Sequence, residues 1–497
     1  MERKWWSLLA VCMATFMLLL DITVVNVALP DIQKDLNTDL TGLQWVVDAY
    51  TLLLSAFTLT MGTLADKFGR RRLFVIGVAL FTLASLLCGL ATSDTFLHLA
   101  RGLQGIGGAA MFATSLALIA QEFQGPERGT AIAAWGATIG AAVAVGPLVG
   151  GALVDAFGWQ WIFFVNIPIG VATVLLAETQ AGESRDPDAK KLDWAGLVTF
   201  SGGLFALIFG LLRGNAEGWG SGVIVGSLAA AVVLLIAFVV VEMRQPHAMF
   251  DLGLFRKSTF TGVSVGTFAI GAGMFAMFLY ITIFLQSVLG YTPLQTGVRF
   301  LPLTIFAFLV PLATRNIVSR IPARVPLTIG LTMVGIGLLL MRGAHPDSSW
   351  TTLLAGFMVS GFGIGLSNPS IASTALGVVP PARSGMASGI NNTMRIAGVA
   401  TGIAALGAVF QSKITSELAT LLPDAPSGFA DGVAASGTQA ANSAPPALHA
   451  QAAQAAGQAF TTAFNEILLI GAVILFAGAL AVLTLVKQSD FLPPPGG

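Results

Sequence analysis

The chain has two cysteines, four histidines and three tyrosines in 497 residues, and only 10% of it is Asp, Glu, Lys or Arg. Cys12 and Cys88 lie far apart in apolar stretches without ligand-spaced neighbours, which argues against a disulfide framework or a cysteine-based metal site. No clustered His/Cys/carboxylate set offers a metal site. There is also no Gly-Lys-Ser/Thr phosphate loop, and no polar stretch long enough for an ATPase domain. An enzyme would need a convergent nucleophile or metal set, and none is found. Lys and Arg (25) balance Asp and Glu (25), so charge gives no case for a nucleic-acid partner. The sequence therefore predicts no cofactor, no metal and no ATP, and energy would have to come from an ion gradient or from the substrate's own gradient.

What is present is apolar: 55% of residues are hydrophobic, a value that marks an integral membrane protein. At about 20 apolar residues per crossing, spans are expected near 7–29, 44–64, 73–91, 96–120, 131–153, 160–178, 194–212, 220–242, 259–286, 296–314, 325–342, 350–377, 384–410 and 464–486. The first is longer than a signal-peptide core and lacks a small-residue cleavage site, so it is read as a retained span. An even count places both termini on one side. Of the 25 Lys and Arg, only Lys34, Arg213, Arg342 and Lys413 would lie outside, with Arg101, Arg299 and Arg395 within or at the ends of spans. That bias makes the termini cytoplasmic. Polar linkers near 181–191 and 243–258 divide the chain into 1–180, a six-helix bundle; 181–258, a linker with two extra spans; and 259–497, a second six-helix bundle. The last contains a long outer loop at about 411–460, rich in Ala, Ser, Gln and Pro, with a short helix expected near 447–460.

Charges inside or beside apolar spans are the functional candidates, because lipid penalises them. The turn Gly62-Thr-Leu-Ala-Asp66-Lys-Phe-Gly69-Arg70-Arg71-Arg72-Leu73 must sit at a membrane surface. Asp66 at the end of the second span is close to these cations and to the expected positive N-terminus of a helix from the other half, where a carboxylate is stabilised. Such a contact would latch an inner gate. The second-half equivalent, Arg315 to Arg324, has Ser319 in the acid's place. Asp21 lies roughly 20 Å deep at 1.5 Å per residue, where a carboxylate must pair, protonate or face water, and Arg101 sits at a comparable depth. This makes Asp21 and Arg101 candidates for proton coupling or for a permanent structural salt bridge. Asp48 joins the coupling candidates. With Thr51, Ser55, Thr58 and Gly62 it forms one polar helical face that should look into protein or a water-filled path.

In the thirteenth span Ser388, Asn391, Asn392 and Arg395 form a comparable stripe, and the ninth carries Phe268, Met274, Phe275, Met277, Phe278 and Phe284 beside Tyr280 and Gln286. Candidate cavity residues are Asn26, Thr51, Ser55, Gln104, Tyr280, Gln286, Asn391, Asn392 and Arg395. Gly146, Pro147, Gly150 and Gly151 give the fifth span a place to bend.

The charged turn resembles the signature turn of the major facilitator superfamily. Leu20-Asp21-Ile-Thr23-Val-Val-Asn26-Val-Ala28-Leu29-Pro30, Leu97-His-Leu-Ala-Arg101-Gly102-Leu-Gln104-Gly105-Ile-Gly107-Gly108 and Gly146-Pro147-Leu-Val-Gly150-Gly151 are similar to first-, fourth- and fifth-span motifs of its fourteen-span drug:proton antiporter family. The resemblance implies an all-α membrane fold of two six-helix bundles with an extra central pair. It also implies a gate built on Gly62, Asp66, Gly69, Arg70 and Arg71, and proton-coupled export of hydrophobic or amphipathic, including cationic, drugs or antibiotics from the inner membrane by a monomer. A metabolite importer or symporter on the same fold, or a non-transporting sensor, are the alternatives.

Overall fold

A computed structural model spans residues 1–497 and describes all of them except 1, 39, 186–192, 246–249, 319, 381–382, 424, 427, 444–447 and 493–497. The side chains at 26, 30, 40, 41, 125, 126, 143, 144, 147, 215, 216, 293, 294 and 443 also fall outside the described set. The described residues are helical or loop, with no strand among them. Lipid cannot hydrogen-bond an open backbone, so apolar runs of this length must satisfy their own N–H and C=O groups as helices.

Fourteen helical segments follow one another in the order that hydropathy predicts. They are α1 (Arg3–Leu36), α2 (Leu40–Phe68), α3 (Arg70–Gly89), α4 (Asp94–Glu122), α5 (Gly125–Phe157), α6 (Asn166–Gln180), α7 (Trp194–Glu217) and α8 (Gly222–Arg244). Next comes α9, a composite of Ser258–Ile270, Gly271–Phe275, Met277–Ile283 and Phe284–Val288, whose second and fourth pieces are π-helical. The last five are α10 (Pro293–Val318), α11 (Arg324–Leu340), α12 (Leu354–Gly377), α13 (Ser384–Leu421) and α14 (His449–Leu485). Twelve coincide with described stretches long and apolar enough to cross a membrane, the one at α6 beginning earlier, at Trp161. The other two are α5, with 33 residues, and α11, with 17.

Local chemistry sets several boundaries. Ser93, Asp193 and Ser221 cap α4, α7 and α8 by accepting from the N–H of Phe96, Gly196 and Ile224. Gly69, between α2 and α3, has φ +112°, a conformation that side chains other than hydrogen resist. A Cβ there would also come within 2.7 Å of the Glu183 carboxylate.

The stretch expected as a long outer loop is largely helical. The helix α13 runs on to Leu421, Phe429–Ser436 is a short helix, Gly437–Ser443 is 3-10, and α14 already begins at His449. The helix expected near 447–460 is thus the start of α14. Ala and Gln are strong helix formers, and Phe429 and Val433 are buried in the same apolar cluster as Phe284 and Phe460. This segment therefore packs down on the second block. Ser319 lies outside the described residues.

Small residues set the packing. A Cβ on Gly105 of α4 would overlap the Tyr50 carbonyl of α2, and one on Gly62 of α2 would lie 2.5 Å from the Gly385 carbonyl of α13. With little hydrophobic force between helices in lipid, close backbone approach of this kind supplies the contact energy. Between the blocks, α2 and α4 pack on α13, and α5 packs on α10 and α12; α7 touches both α2 and α13. One apolar cluster joins the first block to Ala372, Leu376, Val378, Val379, Met386, Ala387 and Ile390 of the second. The blocks are therefore fused at the end that carries the charged turn. Gly105→Leu should force α2 and α4 apart and destabilise the protein by about 3 kcal/mol; a fall in the thermal unfolding midpoint in detergent checks this, and Gly129→Leu, whose added side chain meets open space, should leave the midpoint unchanged.

Candidate functional site

Three carboxylates on the helices of the first block, Asp21, Asp48 and Asp66, are each paired with an arginine. Asp21 of α1 is 2% exposed and Arg101 of α4 is 1% exposed; Arg101 Nη1 donates to Asp21 Oδ2 at 2.5 Å. The same nitrogen is 2.6 Å from Gln104 Oε1, and Arg101 Nε donates to the Val46 carbonyl at 2.9 Å. The guanidinium stacks over the Tyr50 ring at 4.3 Å, with Phe163 at 5.7 Å. Gln104 Nε2 and Asn166 Nδ2 donate to Asp21 Oδ1 at 2.9 and 3.3 Å, and both also reach Ser85 Oγ, at 2.7 and 3.1 Å. Five helices thus converge on one ion pair. Such a pair survives burial only if its remaining donors and acceptors are also satisfied, and here nearly all are.

Asp48 of α2 is held differently. Arg213 Nη1 lies 3.7 Å from Asp48 Oδ2, 2.8 Å from Gln44 Oε1, and Arg213 also bonds Glu217 at 2.9 Å. Arg213 was expected in an outer loop. It is instead buried inside α7, which continues to Glu217, because its partners on α2 draw it inward. Asp48 is therefore one of the points at which the extra helix pair is tied to the first block, together with the Thr60–Ser201 hydrogen bond at 2.8 Å.

Asp66 forms the third pair and reaches across the blocks. Arg70 Nε and Nη2 donate to Asp66 Oδ1 at 3.0 and 2.8 Å. The Gly385 N–H donates to the same oxygen at 3.0 Å, and the Met386 N–H donates to Oδ2 at 2.8 Å. Both amides belong to the first turn of α13, where orphan N–H groups and the helix dipole attract an anion. Glu183, just beyond α6, accepts from the N–H groups of Arg71 and Arg72 at 3.1 and 3.0 Å and so caps α3. Ser184 accepts from the Arg70 N–H at 3.0 Å through its carbonyl and also binds Gln121. The start of the linker is thereby pinned to the charged turn.

The remaining candidates are scattered. Thr51 and Ser55 spend their hydroxyls on the carbonyls of Val47 and Thr51 in their own helix. Gln104 belongs to the Asp21 network. Tyr280 donates to the Ile403 carbonyl at 3.0 Å and ties α9 to α13. Gln286 is half-buried in the second π-helical piece of α9. Asn391 accepts from Thr267 at 2.8 Å, and Asn392 donates across the blocks to the Phe112 carbonyl at 3.1 Å. Arg395 is 6% exposed, with Phe275 5.8 Å from its guanidinium. Gly146 and Gly150 pack on Thr23 and Val24 of α1, whereas a Cβ on Gly151 would meet open space. The side chains of Asn26 and Pro147 are outside the described set. Ser85, Asn166, Arg213 and Glu183 are functional partners that sequence reasoning missed. The only available signal for Asn166 and Ser85 was a lone polar residue in an otherwise apolar span.

Membrane-spanning helices in two blocks, paired charges in the first and a carboxylate bonded across to the second are the frame of a polytopic membrane protein. The chain belongs to the Major Facilitator Superfamily, whose family model matches residues 11–403. It is 39% identical over 413 residues to the multidrug resistance protein Stp of Mycobacterium tuberculosis, covering 83% of this chain and 77% of that one. It is 36% identical to the puromycin resistance protein pur8 of Streptomyces alboniger, covering 84% of each. The multidrug efflux pump LfrA of Mycolicibacterium smegmatis is 31% identical, over 97% of this chain and 96% of its own. Among solved structures, the proton:xylose symporter XylE superposes with a TM-score of 0.65 at 13% identity, over 97% of this chain and 96% of that one, which shows the shared fold.

Asp66→Ala should release α13 from the charged turn while leaving the Asp21 network intact. A membrane-impermeant maleimide applied from the charged-turn face should then label a Ser388→Cys reporter several-fold faster than in the parent; an unchanged labelling rate would mean that Asp66 does not hold the blocks together.

Proposed function

We propose that this chain exports hydrophobic or amphipathic small molecules in exchange for protons, by alternating access, as a monomer in the inner (cytoplasmic) membrane with both termini in the cytoplasm. The carrying observation is its likeness, above 30% identity over most of its length, to proteins named for multidrug resistance, puromycin resistance and multidrug efflux. The working units are residues 1–180, 181–258 and 259–497, with the middle unit joined to the first through Arg213 and Asp48. No ATP and no cofactor enter this reading; the proton gradient supplies the work. The alternatives of an importer or a sensor are not favoured by these relatives.

Asp21 is the proposed coupling residue. Protonation would remove the charge that holds Arg101, leaving that guanidinium on the Val46 carbonyl, Gln104 and the Tyr50 ring. The α1–α4 contact would loosen, because breaking one side of a buried pair is strongly destabilising. Charge change in the first block would then bias the Asp66 latch between its closed and open states, with substrate and proton favouring opposite states. Asp48, whose side chain is 14% exposed against 1% for Asp21, is the more accessible acid and is proposed to pass protons towards it.

Inverted vesicles loaded with a pH dye test both parts. Adding a transported compound should provoke proton movement in the parent. Asp21→Asn should abolish that movement with the protein still folded. Efflux that stays proton-driven in Asp21→Asn would defeat the coupling assignment alone, and silence of the parent across a broad panel of dyes and antibiotics would defeat the export reading.

A further inference from the structure

Arg395 stands apart from every other cation described above. It lies eleven residues beyond the first residue of α13 and is 6% exposed, yet its Nε and Nη2 make no hydrogen bond with the protein. Among the described residues, no carboxylate is within ion-pair distance. The sequence explains why: from Ser258 to Ser416 the single acidic residue is Asp347, which is exposed in the loop before α12. Glu417 and Glu466 are engaged by Lys413, near the far end of α13. Asp21, Asp48 and Asp66 are each held by their own arginine. A guanidinium buried without a partner is costly enough that a ligand must offset the penalty in some state of the cycle.

Its surroundings say what kind of ligand. Asn391 Nδ2 and Ser388 Oγ, one and two turns back on the same helix, are also buried donors without a partner. Facing them, α9 changes to a π-helical turn at Gly271–Phe275, and Gly271 brings that turn so close that a Cβ there would be 2.5 Å from the Arg395 carbonyl. Single π turns recur at functional sites. This one ends at Phe275, whose half-buried ring lies 5.8 Å from the guanidinium and 5.9 Å from Phe278, which in turn meets Phe300 at 5.6 Å. Unused donors thus adjoin a wall of aromatic rings.

We propose that Arg395, with Asn391 and the Phe275–Phe278 rings, is the anion-binding end of the substrate site, and that the exported compounds include aromatic amphiphiles bearing a carboxylate, sulfonate or phenolate. This rests on the export reading but deepens it, since it names organic anions among the hydrophobic or amphipathic compounds. The guanidinium would take the anion, and the rings would take the aromatic body by stacking.

Three probes of one shape test it: naphthalene-2-sulfonate, the neutral methyl 2-naphthyl sulfone and the cationic 2-naphthyltrimethylammonium. Binding to the purified full chain is measured by calorimetry, and proton movement by the pH dye in inverted vesicles. The parent should bind the sulfonate most tightly. Arg395→Gln should weaken the sulfonate about 10- to 100-fold and leave the sulfone within two-fold, while Arg395→Lys keeps most of the difference. Arg395→Gln should also unfold at an equal or higher temperature, because it removes an unpaired buried charge.

Equal weakening of sulfonate and sulfone, a lowered unfolding temperature with no charge discrimination, a parent that prefers the ammonium, or a parent that binds none of the three would each overturn the proposal. Proton-coupled movement of other compounds in those cases would leave the export reading standing. Conversely, Arg395-dependent sulfonate binding in a chain whose vesicles are silent to every compound would keep the anion site and remove the export reading.

Discussion

Charge inside hydrocarbon is the constraint on which the rest of this structure depends. A carboxylate or guanidinium left alone in a lipid-embedded helix is expensive, and it is tolerated only where protein or water can answer it. The first block answers with three pairs, and each pair organises a different relation between helices. Asp21–Arg101 draws five helices of the block together; Asp48–Arg213 ties the extra pair to α2; Asp66–Arg70 aims a carboxylate at α13. Up to Ser416 the second block has one acid, Asp347. That stretch is held by aromatic and glycine contacts instead, so the buried Arg395 stands out.

The two kinds of adhesion have different consequences for motion. Glycine-lined contacts such as α2 against α13 are flat and short-range, so the surfaces can part without breaking a directional bond. The Asp66 bonds to the α13 amides are directional and few. A rocking movement of one block against the other would therefore be controlled by a handful of hydrogen bonds, those of Asp66 and the Asn392–Phe112 bond, rather than by the large area of the interface. The firm pinning of residues 181–184 on the charged turn adds a lever from the linker to the Asp66 end.

Much of this was legible in the sequence, for a physical reason. Spans and their depths follow from hydropathy, and a charge within a span is so rare that Asp21 and Arg101 could be matched by depth alone. Likewise, the turn at Asp66 announced a partner at a helix N-terminus. What depth does not reveal is rotation and neighbourhood. That Ser85 and Asn166 complete the Asp21 network, or that Arg213 turns inward to Asp48, depends on which faces of which helices meet. The outer segment was misleading because its small polar residues resemble a loop in composition, whereas Ala and Gln continue helices when apolar anchors such as Phe429 hold them down. Local winding was equally invisible: nothing in Gly271–Phe275 marks a π turn.

The latch has one further property, which concerns what mutation can reach. Asp66 grips the second block through the main-chain amides of Gly385 and Met386, groups that every residue but proline carries. On that side the recognition element cannot be altered by changing a side chain. Substitutions that affect it must do so through bulk, by pushing the helix away at Gly385, or through proline. Drift in the second block is therefore largely silent at this contact, and selection on the latch falls almost wholly on Asp66 and the glycines that let the two backbones meet.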